Sequence, residues 1–474
     1  MTITPAANRT TRPAVGSGEA SGRRVLMFCY YYPPLGGIGS QRSQKFARYL
    51  GDQGWQPVVI TPQQGCYFVD PSLDDGTTRG VEVIRTGAIH LSALLKQTVM
   101  KRTDDGAAQG GTASLQPSAD SALLGFLKRT VRTWGYIPDG QIGWFPYALR
   151  AARRAMAEGG VETIFSSSFP VTAHLLAYRL KQATGKPWIA DFRDLWTEHH
   201  YADYSSQLRK RIDQKIEARL LAKADIITTV SEEWAETTRR LTGGKRRVEV
   251  IRNGFDASEF AAVESRRPDK WTITYVGLFY GAKQDPSAFL EALRRVIDSG
   301  KVARADVRFN IVGQPDPYVQ EMVARFGVAD ITNFTGFVSH SESLAQQVNS
   351  SLLLLIVHKA QTNAGHVPGK LYEYLGARRR ILALAHQGFE AVRLINEARA
   401  GIVVESTDIA GIEQALIDSY RAYQSGDDAA PNDSDLSRYE RQSQAGQLAS
   451  LLAELATPPR AEGEPLRGAW PQTY

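Results

Sequence analysis

Short apolar runs alternate with amphipathic stretches along most of the chain, and this pattern predicts strands that are each followed by a helix. The first unit is a strand over 24–30, a helix from Ser40 to about Gly54, and a strand over 57–61. The alternation continues with strands over 163–167, 187–191, 225–230 and 248–253 and helices over 171–184, 208–222 and 231–241. Because strands joined through helices form parallel sheets, the first half of the chain predicts one α/β domain.

A second alternating series runs from Trp271 to Val404 and predicts another domain of the same kind. Its strands are expected at 271–277, 307–313, 331–335, 352–357, 381–385 and 402–404, with helices at 286–298, 319–326, 341–347, 370–378 and 390–398. We therefore expect an α/β fold of two Rossmann-like domains whose parallel sheets face a cleft. Ligands bind at the carboxyl ends of such strands.

The stretches outside the two series set the expected domain limits. Residues 1–22 lack periodicity and predict a disordered tail, and the domains are expected at 23–255 and 256–425. A Gly-, Ala- and Ser-rich stretch at about 100–121 predicts a flexible insertion in the first domain. A connector and a last helix within 426–457 are expected to pack back on the first domain, before a tail at 458–474.

Composition is that of a globular protein with two cores. The chain has 474 residues, of which 43% are hydrophobic and 22% charged. No apolar run reaches the roughly 18 residues of a membrane span, and the N-terminus lacks a signal-peptide layout, so we expect a cytoplasmic protein. Cys29 and Cys66 belong to no Cys/His cluster and predict neither a disulfide nor a metal site.

The charge is unevenly distributed, which favours an anionic partner. Residues 1–250 hold 33 Lys/Arg against 23 Asp/Glu, whereas residues 251–474 hold 23 against 27. Two basic, Leu-rich stretches at 89–102 and 122–134 either lie on an anionic membrane at its inner face or pack on the sheet. Nucleic acid is not expected, because the basic residues are scattered and no nucleic-acid module is present.

The segment VPGKLYEYLG at 367–376 carries the chemistry of an anion site. It follows the apolar run 352–357 and opens a helix, so Lys370 lies in a first turn whose N–H groups attract phosphate. Glu373 follows one turn later and suits a pair of sugar hydroxyls. Together they predict a nucleotide-sugar site, and the alternative is an ordinary exposed pair of opposite charges.

Two further loops follow strands of the first domain. Gly36 and Gly37 after the first strand either let the backbone approach a ligand or only form a tight turn. The segment Asp191-Phe192-Arg193-Asp194 either enters the cleft, where an arginine can hold an anionic group, or forms a local cap and ion pair.

Taken in order, these segments resemble the retaining GT-B glycosyltransferases of family 4, over about residues 23–425. The likeness is closest to the bacterial branch that adds sugars to surface polysaccharides or other lipid-linked glycans. It rests on YYPPLGGIGSQRSQKFARYL at 31–50, PDGQIGW at 138–144, PWIADFRDLW at 187–196, VEVIRNGFD at 248–256, ITYVGLFYGAK at 273–283, FNIVGQ at 309–314, FTGFVSHSESL at 334–344 and VPGKLYEYLGARRRIL at 367–382.

The resemblance implies that the second domain binds a nucleoside-diphosphate sugar and the first an acceptor. Glu373 would hold the ribose hydroxyls. The implied contacts to the diphosphate and transferred sugar are Lys370, Gly369, Lys283, Gly36 and Gly37, and those bordering the nucleobase are Phe337, Val338 and Ser339. The candidate acceptor-binding residues are Asp191, Arg193 and Arg42, and Asp194 is the candidate catalytic base.

One position departs from the family pattern. A glutamate that contacts the donor sugar commonly stands eight residues before the equivalent of Glu373, but this chain has Gly365 there, which moves that expected contact to His366 or to backbone groups. Positioned cations and helix-end amides can stabilise the departing diphosphate, so neither a metal nor another cofactor is expected. The alternatives are a GT-B enzyme with a soluble acceptor, a sugar-nucleotide epimerase, and a non-catalytic nucleotide-sugar binding protein.

Overall fold

Two parallel sheets, each flanked by helices, make up the structure. This computed structural model describes residues 8–10, 23–35, 38–63, 80–89, 134, 136–198, 204, 206–279, 281–357, 364–427 and 435–456. The Leu-rich basic stretches and the insertion predicted between 89 and 134 lie almost entirely outside them. None of the helices within these ranges is long and apolar enough to cross a bilayer.

The first sheet has the strand order β1-β4-β3-β2-β5-β6-β7-β8, and every pair except β1 and β4 is parallel. Its strands are β1 Asn8–Thr10, β2 Arg23–Cys29, β3 Trp55–Pro62, β4 Glu82–Thr86, β5 Val161–Ser168, β6 Trp188–Phe192, β7 Ile226–Thr229 and β8 Arg247–Val250. The helices are α1 Ile38–Asp52, α2 Phe145–Ala157, α3 Thr172–Thr184, α4 Gln207–Leu221 and α5 Glu232–Leu241.

The second sheet is fully parallel, with the order β11-β10-β9-β12-β13-β14. Its strands are β9 Trp271–Val276, β10 Val307–Val312, β11 Thr332–Gly336, β12 Leu352–Ile356, β13 Ile381–Leu384 and β14 Gly401–Val404. The helices are α6 Ala257–Ala261, α7 Ser287–Asp298, α8 Pro317–Arg325, α9 His340–Val348, α10 Gly369–Ala377, α11 Glu390–Glu397, α12 Ile409–Ser425 and α13 Arg441–Leu455.

Local signals account for several helix limits. The hydroxyls of Ser206 and Ser231 accept from backbone N–H groups in the first turns of α4 and α5, which replaces hydrogen bonds that a helix start lacks. Ser339 and Glu342 form a capping box at the start of α9. At the end of α3, Gly185 adopts the left-handed conformation (φ 70°), which a residue with a side chain rarely adopts.

The chain passes between the domains twice, and the two passages are hydrogen-bonded to each other. The N–H of Phe255 donates to Tyr439 (3.0 Å), and the N–H of Arg441 donates to Phe255 (2.8 Å). A Cβ on Gly254 would lie 2.2 Å from the carbonyl oxygen of Tyr439, so this close approach requires glycine. The last helix, α13, then packs on α1 and places Leu448 and Leu452 in the core of the first domain.

The structure differs from the sequence-based expectations at five elements. Asn8–Thr10, predicted as part of a disordered tail, pairs with Val83–Arg85 as an antiparallel strand at the edge of the first sheet. Strand β4 and helices α2, α6 and α12 were not predicted. The buried face of α2 consists of alanines (Ala148, Ala151, Ala152 and Ala155), and arginines lie on the opposite, exposed face.

Candidate functional site

Three glycines make the carboxyl edge of the second sheet accessible to a ligand. Gly277, Gly313 and Gly336 end or follow β9, β10 and β11, with φ of 103°, 140° and 74°. A Cβ on Gly313 would lie 2.8 Å from the carbonyl oxygen of Gly277, so the strand ends approach each other more closely than side chains would allow. Such a bare edge lies at the carboxyl ends of the strands, which is where α/β sheets bind ligands.

Lys370 projects from the start of α10 towards this edge. Its Nζ would lie 3.2 Å from a Cβ on Gly277, and it lies 3.9 Å from the centre of the Tyr275 ring. The Nζ is buried and makes no hydrogen bond within the described part of the chain. Burial lowers the pKa of Lys370 from 10.5 to about 7, although the charge of Glu373 raises it in part.

The aromatic ring beneath Lys370 is held rigidly. Tyr275 and Phe279 stack with their ring centres 3.9 Å apart and their planes 20° from parallel. The Tyr275 hydroxyl lies 3.0 Å from the Leu278 carbonyl oxygen and 2.9 Å from Oε1 of Gln284. Lys283 lies in the 3₁₀ turn Gly281–Gln284, but its side chain is outside the described residues.

Glu373 lies on the same helix and lines the pocket between the two domains. One of its carboxylate oxygens accepts a hydrogen bond from Nε2 of Gln347 (3.0 Å). Within the described residues it forms no salt bridge with Lys370, which excludes the simple exposed pair that the spacing also allowed. The pocket is completed by residues of both domains and of the segments that join them: Gln41, Lys45, Gly254, Phe255, Asp256, Glu259, Phe260, His340 and Arg441.

The segment expected to border the nucleobase begins immediately after β11. The Phe337 side chain is 72% exposed, whereas Val338 packs on the core around α10. The Ser339 hydroxyl caps α9, so its position is determined by the helix start. Phe337 therefore offers an aromatic face beside the open strand edge.

Asp191 and Arg42, expected to bind the acceptor, lie instead in the interior of the first domain. Their side chains are 0% and 1% exposed. Nε and Nη2 of Arg42 donate to the carboxylate at 3.1 and 2.8 Å, and the hydroxyls of Ser167 and Thr228 also donate to it. This prediction is corrected: Asp191 lies within β6 and its side chain points into the layer beneath α1, so the pair cannot reach a ligand.

The ion pair of Arg42 and Asp191 also anchors the first passage between the domains. Arg42 donates to the carbonyl oxygens of Ile251 and Arg252, both at 2.9 Å. Burial alone would raise the pKa of Asp191, but Arg42 outweighs that effect and lowers it. The pair is thus a structural contact between α1, β6 and the connection to the second domain.

Arg193 lies closer to the cleft, beneath the first turn of α1. Its Nε donates to the carbonyl oxygen of Ser168 (2.6 Å), and a Cβ on Gly39 would lie 1.7 Å from its Nη1. The side chain is 15% exposed, and Asp194, with a carboxylate oxygen 3.9 Å from the Arg193 Nε, is 32% exposed. Gly36 and Gly37, just before α1, lie outside the described residues.

The absence of a side chain at Gly365 has a steric cause. A Cβ there would lie 2.5 Å from Cδ1 of Trp234 and 2.8 Å from Cβ of Glu233, both on α5 of the first domain. The ring centres of His366 and Trp234 are 6.4 Å apart. The loop before α10 therefore packs directly on the first domain at this position, with no room for the glutamate of the family pattern.

Sequence reasoning missed the residues that join the domains around the pocket. Lys45 donates to Asp256 and Glu259, and Glu259 contacts His340. No spacing indicates these contacts, because Lys45 and Glu259 are 214 positions apart in the chain. Sequence reasoning also did not predict that Trp234 contacts the loop before α10, since a tryptophan after a helix cap usually indicates only core packing.

Two family models match the chain, one in each domain. The model for Glycosyltransferase Family 4 matches residues 112–259, and the model for Glycosyl transferases group 1 matches residues 270–421. No curated protein sequence matches.

Solved structures share the fold over almost the whole chain. Sucrose-phosphate synthase from Thermosynechococcus elongatus has a TM-score of 0.58 at 12% identity, covering 91% of this chain and 99% of that one. HepE of Anabaena, solved in complex with UDP-glucose, has a TM-score of 0.51 at 14% identity, covering 91% and 100%. A putative UDP-N-acetylglucosamine 2-epimerase from Listeria monocytogenes has a TM-score of 0.52 at 11% identity, covering 91% and 96%.

The two sheets and the cleft define a protein with the GT-B fold, as the sequence pattern predicted. Together with the two family models, they identify the protein as a glycosyltransferase of the GT-B class. Glycosyltransferases of this kind use nucleotide-sugar donors.

Proposed function

We propose that the protein transfers a sugar, with retention of configuration, from a nucleoside-diphosphate sugar to a hydroxyl of a lipid-linked glycan or polysaccharide intermediate. The observation that carries the donor part is Lys370. A buried ammonium group without a hydrogen-bond partner is costly, and such groups are found where a ligand supplies the missing acceptors. An anionic diphosphate at the glycine-lined edge of the second sheet would do so.

The donor would lie along this edge with its parts in a fixed order. Lys370 and the first amides of α10, from Gly369, would hold the diphosphate, with Lys283 as a second cation. Glu373 would accept from the ribose hydroxyls with the carboxylate that Gln347 already orients. The base would stack on Phe337, beside Val338 and Ser339, because an exposed aromatic face suits a nucleobase of either size.

The transferred sugar would lie between the loop at 364–366 and the start of α1. His366 and backbone groups would contact it, as Gly365 carries no side chain, and Gly36 and Gly37 would allow close approach from the other side. Arg193 and Asp194 are the proposed acceptor-side groups, with Arg193 facing an anionic part of the acceptor and Asp194 its hydroxyl.

The chemistry would need no metal. The bond from the anomeric carbon to the diphosphate oxygen breaks, the acceptor oxygen bonds to the same face of that carbon, and the acceptor proton passes to the leaving phosphate oxygen. Lys370 and the helix amides would stabilise the charge that develops on the diphosphate. Retention follows from attack on the face that the leaving group vacates.

The acceptor is proposed to be membrane-linked because the first domain presents a basic, partly apolar face. Arg150, Arg153 and Arg154 on α2 are exposed, and Tyr147 on the same helix is 36% exposed. Ile89, whose N–H donates to Gly143 just before α2, is 40% exposed. Arginines beside apolar side chains suit an anionic membrane surface.

Two assays test this proposal. Purified protein is mixed with nucleoside diphosphates and their sugars, and selective thermal stabilisation by one nucleotide, lost in Glu373→Ala, is expected. With that donor, release of nucleoside diphosphate should require a glycolipid. Release of nucleoside diphosphate with a soluble acceptor alone would favour an enzyme that acts on soluble acceptors. Isomerisation of the donor would favour an epimerase, and donor binding without turnover would favour a non-catalytic binding protein.

The membrane part is tested separately by sedimentation with anionic vesicles. The protein should bind at low salt and less at moderate salt, and Arg150→Gln with Arg154→Gln should weaken binding. No binding at either salt concentration would contradict membrane attachment without affecting the donor site.

A further inference from the structure

Four ionisable side chains in the pocket around Glu373, from both domains and their connection, form one series of contacts. Nζ of Lys45, on α1, lies 2.6 Å from Oε1 of Glu259 and 2.7 Å from Oδ2 of Asp256. The other Glu259 oxygen, Oε2, lies 3.2 Å from Nε2 of His340 on α9. Contact thus runs without a break from the first domain, through the short helix α6, to the second domain.

This chain of contacts is shielded from solvent and well satisfied. Lys45 and Asp256 are 7% and 2% exposed, and Glu259 and His340 are 30% and 24% exposed. The Tyr49 hydroxyl also donates to Asp256, at 2.8 Å. Ion pairs in such a position interact more strongly than surface pairs, because less water screens them.

His340 contacts the carboxylate of Glu259 and lines the same pocket as the carboxylate of Glu373. Burial alone would lower its pKa, but the hydrogen bond with Glu259 and the charge of Glu373 outweigh this effect and raise the pKa, while Lys45 acts in the lowering direction. Other charges nearby are Arg441 of α13, which lines the same pocket, and Glu342 of α9, which is held in the capping box with Ser339. Below its pKa, the imidazolium is therefore stabilised by Glu259, which it contacts, and by the charge of Glu373 in the same pocket.

We infer that His340 is a positioning residue for the donor, which connects the ribose-binding carboxylate of Glu373 to the first domain through Glu259 and Lys45. The inference rests on the role of Glu373 in the proposed function. Its consequence is that Lys45, a residue of the first domain with no assigned donor contact, contributes to the affinity of the second domain for nucleotide. This contribution requires His340.

A double-mutant cycle measures that dependence. The dissociation constant of the nucleoside diphosphate that stabilises the wild type is determined by calorimetry for Lys45→Met, His340→Gln and the double variant. Each single variant should bind about three- to tenfold more weakly, and the double variant no more weakly than either, as expected for residues that act through one contact. If the fold-changes of the two single variants multiply in the double variant, the inference is overturned. Unchanged affinity in Lys45→Met would overturn it as well.

The pH dependence separates positioning from a merely structural role. The quantity to compare is the dissociation constant of His340→Gln divided by that of the wild type at each pH. In this ratio, pH effects common to both proteins, including the titration of Lys370, cancel. Since the charged imidazole supplies the effect, the ratio should be largest at low pH and fall to one above the raised pKa of His340. A ratio independent of pH would contradict the proposed role.

Controls keep this result distinct from failure of the proposed function. Lys181→Met removes another partly buried pair of the first domain, with Asp225, and should leave affinity unchanged. If Lys45→Met does not fold, Lys45→Arg, which keeps both ion pairs, should fold and bind as the wild type, and weak binding by it would count against the inference. If nucleotide binding requires Glu373 but is unchanged in Lys45→Met, only the inference about His340 is overturned. If the wild type binds no nucleotide, the inference and the proposed function are both overturned.

Discussion

The ammonium group of Lys370 lies 3.9 Å from the centre of the Tyr275 ring, and among the described residues this ring and the charge of Glu373 partly compensate for its burial. A cation over an aromatic face gains about 0.5–2 kcal/mol, which is less than the cost of burying an ammonium group without hydrogen bonds. The folded protein without ligand therefore carries an unfavourable term that an anion at the same place would remove.

Lys370→Met should stabilise the protein and weaken donor binding. Methionine fills a similar volume without a charge, so the free energy of unfolding should rise by about 1–3 kcal/mol at pH 6, as an unsatisfied buried donor is removed. Nucleotide affinity should fall at the same time. Chemical unfolding and calorimetry measure the two effects, and Lys301→Met, at an exposed position, should change neither. Loss of stability in Lys370→Met would contradict the assignment.

Affinity for a nucleoside diphosphate should depend on pH through the same lysine. In the unliganded protein the pKa of Lys370 is lowered to about 7, and an anion beside it would raise that pKa. Binding therefore takes up a proton above pH 7, so affinity should fall by up to about tenfold per pH unit from 7 upwards. The Met variant should lack this dependence, and an identical slope in both proteins would exclude Lys370 as its source.

Gly365→Ala should separate the loop before α10 from the first domain. The added Cβ would lie 2.5 Å from Trp234, so the cleft cannot close as it does here. We expect turnover to fall by about tenfold or more, since small displacements of reacting groups have large effects on rate. Trp234→Ala should restore part of the activity in the double variant, and failure of this rescue would contradict the steric explanation. Gly446→Ala, with no atom near its Cβ, is the matched control.

Removing one partner of the ion pair between Arg42 and Asp191 should destabilise the first domain. Asp191→Ala leaves a buried guanidinium without its partner, which costs about 3–5 kcal/mol in unfolding free energy. Arg247→Ala breaks exposed pairs with Glu249 and Glu454 and should cost less than about 1 kcal/mol. If Asp191→Ala has normal stability but a raised KM for the acceptor, Asp191 binds the acceptor despite its burial.

The fold was largely predictable because its signals are local. Buried parallel strands appear as apolar runs, such as Leu352–Ile356. Helices are recognised by their hydrophobic periodicity and their capping residues. Helix α2 was not predicted, although alanines on one face and arginines on the other make it amphipathic. The docking surface of α13 on α1 could not be located, since its buried face gives no information about which partner it meets.

The candidate site was predictable only where one segment contains it. Lys370 and Glu373 stand in one turn, so helix geometry alone places them together. Asp191 was assigned wrongly because a strand-end position does not reveal which side of the sheet a side chain faces. The contact between Lys45 and Glu259 depends on how the domains are oriented, which no local pattern encodes.

The paired passages at Phe255 and Tyr439 have a consequence for motion between the domains. One flexible connection would allow one domain to twist and tilt in any direction relative to the other. Two connections joined by the backbone hydrogen bonds of Phe255, one of them continuing into a helix fixed on α1, resist twisting and permit mainly bending about the line that joins them. Opening the cleft is thereby confined to essentially one coordinate, and each reclosure returns the two faces to the same register.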